Sequence, residues 1–455
     1  MSFSSTPLKS TVYVVGPDEA GYGPNLGPLL VAASCWTLQT ERLGSVEALR
    51  RAFSPSPESS PEPIAPSNVK KPSKPRRSKK SADVDAASLF DFLPPDDETL
   101  NAPSFANAAP NVDSEIDVVS RRIDAVVPDL NDSLAELCAR RGVFPLADSK
   151  KLYGPSKSLA TLERSFWLAV GSTRRVSQTV DRAQLANVAT WRSALALLSG
   201  EPVSADAAPP WERDVDFPLP SDAKTGSLNN LNNAFTQIDA TFERSGVSLV
   251  DVAARRVQPL EFNNLITRLG LKSDLIADVT TSLVVETILR ALQTQAPILQ
   301  DFDGDGALPV FIVLCDKLGG RDRYAPLLAA RFPDADVKTL VESRAASVYR
   351  LCTRRGVVRD GSTVEFPTEI AVEIRFTAKG EANVPTALAS ICAKYFRELS
   401  MIPFNDFWRR AVDDANLRPT AGYPLDAKRF RAEVDEARRR LNIADTVFWR
   451  ERYAL

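Results

Sequence analysis

The chain has no histidine in 455 residues. That absence removes Ser-His-Asp and Cys-His nucleophilic machinery, imidazole acid–base chemistry and His-ligated zinc. Any catalysis falls to carboxylates, lysines, hydroxyls or metal ions. Charge of one sign is also lacking: 56 Lys and Arg stand against 58 Asp and Glu, a formal net charge of −2. No global basic field advertises a polyanion partner, so a nucleic-acid site would have to be a local patch. Cysteine is scarce. Cys35, Cys138, Cys315, Cys352 and Cys392 lie far apart with no C-x-x-C pair, which fits reduced thiols better than a disulfide framework. No apolar run approaches the length of a membrane span, and Met1 to Ser10 carries no apolar signal core. The expectation is a soluble, cytoplasmic protein with no membrane partner.

Apolar residues make up 44% of the chain, enough for a sizeable core. From 55 to 112 the character changes: eleven of the 33 prolines fall there, with the basic run Lys70 to Lys80 and an acidic stretch after it. A segment this polar cannot bury enough apolar surface to offset its ordering entropy, so it reads as a disordered insertion. It interrupts a domain whose first part is 8–54 and whose remainder is 113–400. A surface insertion is expected at about 201–226 and a helical C-terminal part over 401–455. Helices are expected at 158–170, at 181–198 with Asp181 as N-cap, at 273–292, 322–332, 385–401, 404–414 and 425–441. Thr11–Val15, Pro309–Cys315, Val337–Leu340, Ser347–Leu351 and Ala371–Phe376 read as strands. Early strands followed by helix–strand alternation point to a mixed α/β sheet.

Acids recur where buried-looking strands end. Asp18 and Glu19 close the first strand, Asp316 closes Pro309–Cys315, and Glu381 follows Ala371–Phe376. Ligand sites of α/β sheets lie beyond the carboxyl ends of strands. Brought side by side, four such carboxylates could hold two Mg²⁺ or Mn²⁺ ions about 3.5–4 Å apart. Each acid alone is also an ordinary turn residue. Neighbouring residues of a strand face opposite ways, so Asp18 and Glu19 can share a site only if the strand ends or bulges there. Two other stretches carry little. Asp301, Asp303 and Asp305 start like a calcium loop, but Ile312 stands where the closing Glu should be; Lys317 to Gly320 lacks the full phosphate-loop pattern.

Several motifs in order are similar to one known family. GPDEAGYGPNLGPLLVAA (Gly16 to Ala33) resembles the opening motif of type 2 ribonucleases H, the HII/HIII group. LADSKKL (Leu146 to Leu152) looks like their second motif, and VLCDKLGG resembles the strand-borne third acid. FTAKGEANVPTALASICAKYFRELSM (Phe376 to Met401) is similar to the K-[AG]-[DE] block and its helix. EFN at Glu261 and GYP at Gly422 resemble two further elements.

The resemblance implies a ribonuclease H-like fold, a mixed five-stranded sheet flanked by helices. It implies that Asp18, Glu19, Asp316 and Glu381 bind Mg²⁺ or Mn²⁺ and catalyse hydrolysis of the RNA strand of RNA/DNA hybrids by a two-metal-ion mechanism. The backbone of Gly21, Tyr22 and Gly23 would read the ribose 2′-OH. Ser149, Lys150 and Lys151 would contact phosphate, and Tyr423 would stack near the scissile nucleotide. Two departures stand out: Tyr22 occupies a position where HII enzymes usually carry Arg, and Glu381 matches HIII rather than HII. Hybrids, or duplexes with embedded ribonucleotides, are the implied partners. The alternatives are a catalytically silent nucleic-acid-binding or scaffold protein on the same fold, and a metal-dependent phosphohydrolase of a small substrate.

Overall fold

The structure is a computed structural model. It describes residues 9–55, 115–139, 143–147, 149–154, 158–178, 182, 185, 189–201, 208–222, 231–299, 308–318, 320–378 and 383–451. The expected insertion at 55–112 and the calcium-loop-like aspartates therefore lie outside the described residues, apart from Pro55.

The strands are β1 (Lys9–Ala20), β2 (Leu29–Glu41), β3 (Val247–Val257), β4 (Val310–Asp316), β5 (Lys338–Glu342), β6 (Ala346–Val357) and β7 (Thr363–Thr377). The helices are α1 (Val46–Phe53), α2 (Glu115–Ala139), α3 (Ser149–Tyr153), α4 (Ala160–Ser172), α5 (Arg174–Ser177), α6 (Trp191–Ser199), α7 (Asn232–Ser245), α8 (Pro259–Leu269), α9 (Lys272–Leu299), α10 (Ala325–Arg331), α11 (Val384–Val412), α12 (Pro424–Arg440) and α13 (Asp445–Phe448). The strands form one seven-stranded mixed sheet in the order β3-β2-β1-β4-β7-β6-β5. The fold is α/β, with seven strands where the resemblance implied five.

β1, β4 and β7 run parallel at the centre. Their residues are buried on both faces, which is why they read as continuous apolar runs. Alternation sorts them. Val12, Val14, Val310, Ile312 and Leu314 join a core with α2, α4 and α11, whereas Tyr13, Val15, Phe311, Val313 and Cys315 join another with α8, α9 and α10. The β1–β4 ladder stops at Val15↔Val313, two residues before Pro17, which has no N–H to donate.

Three expectations shift. The helices expected at 385–401 and 404–414 are a single 29-residue α11 with Pro403 inside it. A mid-helix proline costs ~3 kcal/mol, and burial of Phe404 and Trp408 just beyond it in a third apolar cluster opposes that cost. The helix expected from Asp181 starts at Trp191, where Thr190 and Ser193 form a capping box; Asp181 is outside the described residues. The stretch expected as a surface excursion is anchored, with Trp211 and Glu212 buried and Glu212 paired to Arg256 at 2.6 Å. No helix among the described residues is long and apolar enough to cross a membrane.

A buried carboxylate ties α4 to α11. Glu163 accepts from the Tyr395 hydroxyl at 2.6 Å, from Ser221 N at 2.6 Å and from Asp222 N at 3.0 Å. Replacing Glu163 with Ala strands the buried Tyr395 hydroxyl and leaves the Ser221 and Asp222 donors to water, so urea unfolding of that variant should show a loss of about 1–3 kcal/mol. Glu163→Gln, which keeps one acceptor oxygen, should lose less.

Candidate functional site

β1 runs without a register shift through Asp18↔Ala32 and Glu19↔Val31 to Ala20↔Leu30. The strand neither ends nor bulges at the two acids, so Asp18 and Glu19 leave it on opposite faces. Asp18 follows Val12 and Val14 onto the α11 side and is 7% exposed. Asp316, the last residue of β4, follows Ile312 and Leu314 onto that same side. Each lies three residues past the last β1–β4 pair, Val15↔Val313. Two carboxylates thus stand level on adjacent parallel strands and on one face of the sheet.

Glu19 lies on the other face, one position beyond the level of Asp316. Burial, and then the Asp316 and Glu19 carboxylates, push the Cys315 thiol pKa far above its ordinary value. Both carboxylates therefore act on the Cys315 sulfur. Glu381 lies outside the described residues, in the 379–382 connection from the end of β7 to α11.

The start of α11 closes this face from above. Gly16 has no Cβ; one built there would sit 2.4 Å from Thr386 N and 2.5 Å from Pro385 C. The helix therefore rests directly on β1. Ser34 Oγ donates to Pro385 O at 2.7 Å, and Asn131 Oδ1 accepts from Val384 N at 3.0 Å. The positive end of a long helix dipole thus lies on the side that carries Asp18 and Asp316.

One stripe of α11 receives the 149–151 motif. Ser149 is buried, with its Oγ 2.9 Å from Ser390 Oγ. Tyr153 Oη donates to Glu398 at 3.1 Å, and Lys394 Nζ lies 4.6 Å from the Tyr153 ring centre. Ser149 is a fastener, while Lys150 and Lys151 point to solvent.

The glycine loop is held from below. Gly21 has φ +87°, and its carbonyl accepts from Arg450 Nη2 at 2.7 Å; Pro24 O accepts from the same nitrogen. Arg397 Nη2 donates to Leu26 O at 3.1 Å and to Ala421 O at 2.9 Å. Gly422 O takes the amides of Asn25 at 2.8 Å and Leu26 at 3.3 Å. The 422–424 motif is thereby stapled to the loop, and a Cβ on Gly23 would meet the Tyr423 ring at 3.6 Å. Tyr423 itself is 56% exposed.

Tyr22 turns inward against the α8–α9 core, with Lys272 Nζ 4.5 Å from its ring centre. Burial and the neighbouring Glu19 raise its hydroxyl pKa above the ordinary value. A cation therefore does stand beside the loop, but it comes from α9. Arg397, Arg450 and Lys272 escaped sequence reading. Arg397 sits in the block read as a helix, and Arg450 meets Gly21 across a separation of 429 residues that no local pattern encodes.

Among the described residues no group of three or more acids or thiols is arranged to hold a metal ion. The Asp18–Asp316 pair supplies oxygen donors only. That suits a hard cation such as Mg²⁺ or Mn²⁺, which binds through one or two carboxylates and completes its shell with water and substrate phosphate. No family model, curated protein or solved structure matches the chain.

The loop's geometry separates its glycines. A Cβ at Gly21 would come within 2.6 Å of Arg397 and 2.8 Å of Pro28 O; one at Gly422, φ +83°, within 2.5 Å of Leu26 O. Gly21→Ala and Gly422→Ala should each lower unfolding free energy by about 1–3 kcal/mol. Gly23→Ala should stay within about 0.5 kcal/mol of the parent. Equilibrium denaturation of the three variants checks this ordering.

Proposed function

We propose that the chain is a metal-dependent endonuclease of the type 2 ribonuclease H kind, cutting the RNA strand of RNA/DNA hybrids. The observation that carries this reading is the level placement of Asp18 and Asp316 on one sheet face. Beside them lies a loop on which Gly23 and Tyr423 meet. The chain order of the motifs and their convergence at one end of the sheet support it together, since neither requires the other.

A bound Mg²⁺ or Mn²⁺ supplies Lewis-acid stabilisation and makes a water acidic enough to attack a phosphodiester. Asp18 and Asp316 would hold it. Glu19 would have to reach over the end of β4 from the opposite face to join them, and Glu381 lies outside the described residues. The glycine loop turns the Gly21 carbonyl toward Arg450, so the Tyr22 amide of the same trans peptide points the other way. An outward amide beside a strand of nucleic acid is suited to a ribose 2′-OH, the group that separates RNA from DNA. Tyr423 offers an exposed ring on which a base can stack. Lys150 and Lys151 are exposed on α3 for phosphate, fixed in place through Ser149. Lys272, over Tyr22, brings a cation to the position where HII enzymes usually carry Arg.

Incubation with labelled RNA/DNA hybrid, single-ribonucleotide duplex and all-DNA duplex in Mg²⁺ or Mn²⁺ tests the reading. Cleavage should be confined to ribonucleotide-containing substrates and should stop when the metal is withheld. Asp18→Asn and Asp316→Asn should each lower the rate at least about 100-fold while the circular dichroism spectrum stays that of the parent. Undiminished cleavage by either variant would sink the site assignment. Tyr423→Ala should bind hybrid about 5- to 150-fold more weakly, the loss of ~1–3 kcal/mol of stacking, with thermal stability unchanged because the ring is largely exposed.

A further inference from the structure

Beneath the glycine loop lie two guanidinium groups that form no ion pair among the described residues; Glu398 acts on Arg397 only at longer range, and no carboxylate does so on Arg450. Arg397 is 4% exposed and Arg450 1%. The other buried arginines among the described residues, Arg255, Arg331 and Arg350, each face a carboxylate: Glu261, Asp278 and Glu373. Arg397 and Arg450 face carbonyls instead, those of Leu26 and Ala421 for the first and of Gly21 and Pro24 for the second. Both Nε atoms and the Arg450 Nη1 are buried without a hydrogen-bond partner. The Arg450 guanidinium also lies 4.8 Å from the centre of the Phe262 ring.

A guanidinium remains protonated even in such a place. Removing each from water costs several kcal/mol, and dipoles and a ring face return only part of it. The two also repel each other: burial first, and then Arg397, lower the proton affinity of Arg450. What the pair lacks is an anion within ion-pair distance, and three of the four carbonyls it bonds, those of Gly21, Pro24 and Leu26, belong to the Gly21–Gly27 loop. Donation to the Gly21 carbonyl polarises its peptide, which makes the outward Tyr22 amide a stronger donor.

We propose that Arg397 and Arg450 are positioning residues that make the Gly21–Gly27 loop an anion receptor, the missing counter-charge being a backbone phosphate of the bound nucleic-acid strand. The inference rests on the nucleic-acid reading above but not on hydrolysis. The pair acts through the loop and does not touch the strand itself.

Two replacements at one position separate charge from shape. Arg450→Lys keeps a cation that can donate to Gly21 O and Pro24 O, and Arg450→Gln keeps a donor but no charge. Fluorescence anisotropy without divalent metal is run on the full chain with a labelled RNA/DNA hybrid and an all-DNA duplex of the same sequence. Arg450→Lys should bind both within about 3-fold of the parent, and Arg450→Gln at least about 10-fold more weakly than Arg450→Lys, because phosphate is common to both duplexes. The melting temperature of Arg450→Gln should match or exceed that of Arg450→Lys, since an unpaired buried charge has gone. Equal affinity of the two variants overturns the proposal, as does a weaker Arg450→Gln that also melts below Arg450→Lys. Absence of duplex binding by the parent overturns it as well. A parent that binds but does not cut sinks the hydrolytic reading alone.

Discussion

The missing side chain of Gly16 is the constraint on which the rest of this structure depends. Because nothing projects there, Pro385 and Thr386 lie directly against β1, and the first turn of α11 is set two residues short of Asp18. A methyl group at Gly16 would have to displace backbone, not a pliable side-chain tip. Everything fastened to α11 would move with it.

Much is fastened to it. The helix start lies over the sheet face that carries Asp18 and Asp316. Its middle takes Ser149 through Ser390 and Tyr153 through Glu398. Arg397 then crosses to the glycine loop and to Ala421. Past Pro403, Phe404 and Trp408 form the apolar cluster that seats α12 and α13. A single 29-residue rod therefore sets the relative positions of four segments far apart in sequence. Its length matters: a true break at Pro403 would let the 422–424 turn drift from the loop it caps.

The parts of the fold legible in sequence were those whose signal is local. β4 and the centre of β1 show as apolar runs because parallel central strands are buried on both faces, and α9 shows because apolar residues recur at helical spacing from Leu275 to Leu292. Pro403 misled for a related reason. Proline propensity is local, whereas the burial on either side of it is tertiary. Asp316 at the end of β4 was legible by position, whereas β1 runs past Asp18 and Glu19 to Ala20. The division of Asp18 and Glu19 between two faces was not, because it depends on β1 keeping register with β2 through Ala20. The loop's supports were least legible of all. An arginine that bonds a backbone carbonyl across hundreds of residues leaves no periodicity, no spacing and no compositional trace. Tyr22 shows the same limit: its place in the glycine run was plain, but not that it would fold inward beneath a lysine from α9.

The clasp between Gly21 and Arg450 also has a consequence in time. The two residues are joined by a hydrogen bond across 429 positions, and Asn25 and Arg450 bond each other twice through the same clasp. On a ribosome the acids of β1 emerge early and can enter the sheet once β4 and β7 follow. The loop beside them cannot take its final shape until residue 450 has left the exit tunnel. A nascent chain would hold β1 in the sheet while still lacking the support that shapes its neighbouring loop, so the loop's final form arrives last and all at once.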